Sequence, residues 1–196
     1  MGIAASFIIS SFVQILQAWR LKKGLVIVYT GKGKGKTTAA LGAALRSVGH
    51  GHNVIMIQFI KGEWYYGELT SSKKLEPHFE LIAAGKGFVG ILDDDHTLEQ
   101  HKEAASKAAK IAIEKLATNA YDLMILDEIN YAANLDLIPL EMIIQIIKSK
   151  PIKTTLMLTG NYAPSEIIEL ADLVTEMREV KHPYKLGVKA VEGIDY

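Results

Sequence analysis

From residue 25 onward, short unbroken apolar runs alternate with segments whose apolar positions recur every three or four residues. Residues 25–29 (LVIVY), 53–59 (NVIMIQF), 121–126 (YDLMIL) and 155–159 (TLMLT) have the length and continuity of strands covered on both faces. Residues 79–83 and 173–180 read as two further strands. Helices are expected over 36–48, which is rich in alanine, over 97–117, over 139–148 with a proline near its start, and over 164–170. Residues 63–74 read as loop with some helix, and Gly85, Gly87 and Gly90 mark another loop. Repeated strand-then-helix order predicts an α/β fold: a mostly parallel central sheet with helices on both faces, in three layers. No linker divides the part from 24 to 196, which reads as one domain.

The segment before it behaves differently. Residues 3–19 are rich in apolar side chains, but Ser6, Ser10, Ser11, Gln14 and Gln17 interrupt them. That is too polar for a membrane span of about 20 apolar residues. Arg20, Lys22 and Lys23 follow the apolar run, whereas a secretory signal carries its positive charges before it. Phe12, Ile15, Leu16 and Trp19 fall at helical spacing, so residues 1–23 read as an amphipathic helix that docks on this protein or on a partner subunit.

Composition narrows the partners. The 196 residues hold 22 Lys plus Arg against 22 Asp plus Glu, and zero net charge argues against a general nucleic-acid or membrane-surface binder. The absence of cysteine excludes disulfides and thiolate metal sites and fits a cytoplasmic location.

The chemistry is concentrated in VIVYTGKGKGKTTAALG, residues 26–42. A phosphate-binding loop has the pattern G-x-x-x-x-G-K-S/T between a strand and a helix. Counting back from Gly35-Lys36-Thr37 puts Thr30 where the first glycine belongs, with Gly31 one position later. The working end is intact. Gly33 and Gly35 let backbone amides turn inward, and the helix that follows directs its positive end at an anion. Lys36 supplies a point charge for phosphate oxygens, Thr37 a hydroxyl for Mg²⁺, and Thr38 a further donor. Lys32 and Lys34 read first as solvated charge, with Lys34 kept as a candidate nucleotide contact. Arg46 lies about three helical turns beyond Lys36 and reads on spacing alone as a surface arginine.

YDLMILDEIN places Asp127 and Glu128 at the end of an apolar strand, the second half of a nucleotide site of this kind. A carboxylate there holds Mg²⁺ directly or through water, and the second acid often orients attacking water. Asp93, Asp94 and Asp95 read as the cap and acidic first turn of the next helix. His50, His52, His78, His96 and His101 show no ligand spacing and read as surface residues. No general base stands out beyond Asp127 and Glu128.

Together VYTGKGKGKTTAALGAALRSVGHG, VIMIQFIKG, GKGF, YDLMILDEINYA, LTGNYAP and LADLVTEMREVKHPYKLGVKAVEGIDY resemble the ATP:corrinoid adenosyltransferases of the P-loop type, from Gly24 to Tyr196. The shortened loop beginning at Thr30 is that family's own version. The resemblance implies a recombinase-like P-loop NTPase fold and a transferase that moves the 5′-deoxyadenosyl group of ATP to the cobalt of reduced corrinoid, cob(I)alamin. It releases tripolyphosphate, in synthesis or salvage of coenzyme B12. ATP, Mg²⁺ and the corrinoid are the implied ligands and a homodimer the implied assembly; a reducing flavoprotein is a candidate partner, although the sequence does not name the electron donor. Thr30, Gly31, Gly33, Lys34, Gly35, Lys36, Thr37, Thr38 and Arg46 would bind the nucleotide. Thr37, Asp127 and Glu128 would hold the metal, and Lys36, Glu128 and Phe88 would serve catalysis.

By the same resemblance Phe88 helps detach the lower axial ligand of cobalt, and the N-terminal helix can close over the corrinoid site. Two positions depart from the family pattern. Gly90 replaces a second aromatic, usually tryptophan, and Asn161 replaces an arginine. An ATPase or small-molecule kinase on the same fold, or a catalytically weak ATP- and corrinoid-binding chaperone, are the alternatives. The phosphate product separates the enzymes: tripolyphosphate for the transferase, ADP for the others.

Overall fold

The computed structural model of the protein describes residues 23–62, 64–90 and 94–196. The amphipathic helix expected over 1–23 lies outside these residues, Lys23 excepted. Six strands, β1 (Val26–Thr30), β2 (Val54–Gln58), β3 (Phe79–Ala83), β4 (Leu123–Asp127), β5 (Thr155–Thr159) and β6 (Leu173–Glu176), form one sheet in the order β3-β2-β4-β5-β1-β6. Every pairing is parallel. Among the described residues six α-helices accompany it: α1 (Lys36–Val48), α2 (Glu68–Ser71), α3 (Leu98–Ala117), α4 (Ile129–Asn134), α5 (Leu140–Ser149) and α6 (Ser165–Leu170).

Alternation along each strand divides the core in two. On one face Val54, Met56, Leu123, Ile125 and Met157 pack under Ala40 and Ala44 of α1. On the other, Val26, Val28, Ile55, Ile57, Met124, Leu126, Leu156 and Leu158 meet α3, α5 and α6. Helix α3 presents Ala104, Ala105, Ala108, Ala109 and Ala112, small side chains that let it lie close to its neighbours. Helix α5 fills its part with Ile143, Ile146 and Ile147. Truncating one of these isoleucines to alanine costs about 2–5 kcal/mol.

Strand and helix positions follow the apolar pattern closely, with four corrections. The last strand ends at Glu176 rather than at residue 180; among the described residues it is an exposed strand at the sheet edge. Helix α4 was not foreseen. His101 is buried, at 3% exposure, since it shares the inward stripe of α3 with Ala104, Ala105 and Ala108. The cap of α3 is Thr97, in a reciprocal capping box with Gln100. Asp94 instead accepts hydrogen bonds from the backbone N–H of Gly90 (2.7 Å) and of His96 (3.1 Å), and its Oδ1 lies 3.0 Å from His101 Nε2. These bonds tie the loop after β3 to α3.

Candidate active site

Four strands that are otherwise almost wholly apolar each end, at their carboxyl end, in one buried polar residue: Thr30, Gln58, Asp127 and Thr159. In an open parallel sheet this is the edge on which ligands bind. The phosphate loop leaves β1 here. Gly31 (φ 93°) and Gly35 (φ 108°) occupy backbone conformations that other residues rarely adopt. At Gly33 the reason is space: its N–H donates to the Met177 carbonyl at 2.7 Å, and a Cβ there would press on Met177 and Arg178. The loop is thus seated on the segment that follows β6.

Helix α1 begins at Lys36 with no side-chain cap, so its first amides are left for an external acceptor. Lys36 is itself buried, at 8% exposure, and its Nζ donates to the carbonyls of Gly31 and Gly33, both at 2.8 Å. Burial lowers its pKa below the ordinary lysine value, while the charges of Glu128 and Asp127 pull the other way.

Opposite stands the acid pair. Asp127 is fully buried; its Oδ1 accepts from Thr37 (2.9 Å) and Thr159 (2.8 Å), its Oδ2 from Gln58 Nε2 (3.3 Å). Burial raises its pKa, opposed by Lys61 and by these hydrogen bonds. Glu128 takes the left-handed backbone conformation, φ 62°, at a cost on the order of 1 kcal/mol. That turn ends β4, starts α4 and brings the Glu128 carboxyl to the cleft. Its N–H donates to Thr159 Oγ1 at 2.9 Å. Burial first, then the Asp127 charge, push Glu128 up to about 7, against the pull of Lys36 and Lys61. The Thr37 hydroxyl and the two carboxyls form a set of hard oxygen donors, which suits Mg²⁺. Among the described residues no cluster of three or more His, Cys, Asp or Glu side chains competes with it.

The resulting cleft, of about 530 Å³, runs over Gly35, Lys36, Thr37, Thr38, Phe88 and Glu128. Lys34 lines it too, ion-paired with Asp195, and the chain's last residues, Gly193 to Tyr196, close one side. Thr30 is held away: its hydroxyl accepts from the Ala163 N–H at 3.1 Å. Arg46 is not brought to this cleft. It lies beside Gly24, Asp122 and Thr155, at the amino ends of the strands, because α1 carries it about 15 Å from Lys36. Asn161 follows Gly160 and has a buried Oδ1 with no hydrogen-bond partner.

Sequence reasoning missed Gln58, Lys61, Glu68 and Thr159. Lys61 pairs with Glu68 at 2.7 Å inside the cleft. For Gln58 and Thr159 the signal available was the single polar residue closing an apolar strand; Lys61 and Glu68, beyond β2, carried none. The tail was quoted for its resemblance, but no residue in it was singled out for the site.

Fold and site together define a P-loop nucleotide-binding protein. In structure the chain is similar to the flagellar accessory protein FlaH from Methanocaldococcus jannaschii, with a TM-score of 0.53 at 14% identity over 79% of this chain and 71% of that one, a likeness of fold alone. In sequence the family model ATP:corrinoid adenosyltransferase BtuR/CobO/CobP matches residues 22–196. The corrinoid adenosyltransferase of Escherichia coli (strain K12) is 42% identical over 178 residues, covering 89% of this chain and 87% of that protein. The corrinoid adenosyltransferase CobA of Salmonella typhimurium is 42% identical over 183 residues, and that of Sinorhizobium sp 38% over 180. The chain belongs to the ATP:corrinoid adenosyltransferase family.

Proposed function

We propose that the protein transfers the 5′-deoxyadenosyl group of ATP to the cobalt of a reduced corrinoid and releases tripolyphosphate. The observation that carries this reading is that one cleft holds both a phosphate grip, Lys36 with the uncapped start of α1, and an exposed aromatic ring, Phe88. A hydrolase needs the first feature only. A transferase that joins a nucleotide to a large flat macrocycle needs both.

In the reaction the cobalt(I) electron pair attacks C5′, a cobalt–carbon bond forms, and the C5′–O bond breaks with its electrons leaving on the triphosphate. No proton has to be removed from the nucleophile, so no general base is required. Phosphate oxygens take over Lys36 Nζ from the Gly31 and Gly33 carbonyls, and Lys36, the α1 amides and Thr38 stabilise charge growing on the departing triphosphate. Thr37, Asp127 and Glu128 would hold Mg²⁺, which supplies further neutralisation of that charge when bound. Glu128, poised near 7 by burial, becomes an effective ligand once a cation offsets the Asp127 charge. Phe88 meets the corrinoid and favours loss of the lower axial ligand, which eases reduction of cobalt(II) by an external flavoprotein. A cytoplasmic homodimer is the expected setting; among the described residues no helix is long and apolar enough to cross a membrane.

The test is incubation with MgATP and chemically reduced cobalamin. Light-sensitive adenosylcobalamin in the corrinoid spectrum is the expected product. Nucleotide turnover without a new cobalt–carbon bond would place the protein with ATPases or kinases, and binding of both ligands without turnover would make it a chaperone.

A further inference from the structure

Phe88, which lines the cleft, has beside it a second ring that the sequence pattern did not single out. Trp64 stands against Phe88 with ring centroids 6.3 Å apart and planes inclined at 46°. Despite this contact Trp64 is 50% and Phe88 41% exposed. Two large rings are therefore left facing solvent side by side at a cleft lined by Phe88, Lys61, Gly67 and Glu68.

Their placement is built into the backbone. The loops after β2 and β3 are laced together: Gly85 N–H donates to the Gln58 (3.1 Å) and Lys61 (3.0 Å) carbonyls, and Gly87 N–H to the Ile60 carbonyl (2.8 Å). Glycine is needed where the strands of this lacing touch. A Cβ on Gly62 would collide with the Gly85 carbonyl, and one on Gly85 with the Ile60 carbonyl. The turn that carries Trp64 is clamped by the Lys61–Glu68 ion pair at 2.7 Å, with the Lys61 ammonium 4.9 Å from the Tyr66 ring centre. So much local constraint around an exposed ring pair is the arrangement of a preformed binding face.

We propose that Trp64 is a corrinoid-contact residue: with Phe88 it forms the aromatic face on which the macrocycle lies while the cleft holds the nucleotide. This rests on the transferase reading above. Size supports the division. A cleft of about 530 Å³ is of nucleotide dimensions, and a corrinoid is too large to enter beside ATP, so it sits at the mouth with one face toward the nucleotide and the other on these exposed rings. Gly90, two residues beyond Phe88, offers no side chain for this purpose, and its N–H is engaged by Asp94.

The chain has two tryptophans, Trp19 and Trp64, so Trp19→Phe leaves Trp64 as the sole indole emitter. Titrating that protein with cob(II)alamin in the presence of MgATP is expected to quench most of the emission saturably, since the macrocycle absorbs where indole emits. In the otherwise native chain Trp64→Leu is expected to raise the corrinoid KM about tenfold, as loss of one aromatic contact implies, with the ATP KM unchanged. Trp64→Phe should restore most of the affinity. Undiminished Trp64 emission in a sample that forms adenosylcobalamin, or a native corrinoid KM for Trp64→Leu, overturns the assignment and leaves the transferase reading standing. Failure of the native chain to adenosylate any corrinoid overturns both.

Discussion

The Thr37 hydroxyl donates to Asp127 Oδ1 at 2.9 Å, joining the first turn of α1 to the end of β4. Thr159 and Gln58 donate to the same carboxyl group, which has no contact with solvent. A charge buried so deeply persists only with such donors or a cation beside it. Asp127→Asn offers an amide N–H₂ where three donors already point, so one of them loses its acceptor. The expected result is a loss of kcat on the order of 10²-fold with a higher Mg²⁺ requirement. Turnover measured across a Mg²⁺ series checks it; an unchanged Mg²⁺ dependence would remove Asp127 from the metal site.

In the proposed reaction Lys36 is the residue on which the phosphate grip depends most. Its ammonium is buried at a cost and makes two carbonyl hydrogen bonds in return, so removing it should alter stability by no more than about 1.5 kcal/mol. Activity should fall by about 10²-fold or more, because charge on the leaving group then lacks its cation. Denaturant melts alongside steady-state kinetics of Lys36→Ala separate the two effects.

The same substitution at two glycines should have opposite signs. Gly33→Ala forces a methyl group against the Met177 carbonyl and is expected to destabilise by about 1–3 kcal/mol. Gly42 lies mid-helix in α1 with open space around its missing Cβ, and Gly42→Ala should stabilise by about 0.5–1 kcal/mol. Equilibrium unfolding of the pair, with nucleotide absent, reads both.

Asp94 makes the tie between the Phe88 loop and α3 sensitive to acid. The Gly90 N–H foremost, and His101 next, hold its carboxyl down to about 2. Its ordinary value is about 3.9, so the folded form binds its proton less tightly than the unfolded chain. The stabilisation is therefore present above about pH 4 and is lost as pH falls from there through about 2. Thermal melts of the native chain and of Asp94→Asn should differ by a constant amount above that window and converge below it. A gap that stays the same at low pH would show that the carboxylate charge is not what holds the loop.

Most of the sheet was legible because each central strand is covered on both faces and so reads as an unbroken apolar run. The phosphate loop was legible because its glycines and lysine serve one purpose at fixed spacing. What stayed hidden depends on chain direction and tertiary neighbours. Glu128 turns left-handed, and the six residues of α4 that follow are too few to display a helical repeat. His101 looked like a surface residue until the alanine stripe around it was seen to face inward. Arg46 belongs to a recognisable run, yet pattern alone did not show that α1 places it at a different pocket from Lys36 and Thr37. Thr159 and Gln58 carried a faint signal, one polar residue closing an apolar strand. Their meaning emerges only when the sheet order sets β4 between β2 and β5.

If the phosphate loop grips a leaving group, the bond broken lies between C5′ and oxygen. ATP carrying heavy oxygen at the position that bridges C5′ and the α-phosphorus tests this directly, in the presence of Mg²⁺ and cobalt(I) corrinoid. One inorganic product is expected, tripolyphosphate, and it contains the label. Label retained on an adenine nucleotide, with ADP and orthophosphate as products, would contradict it.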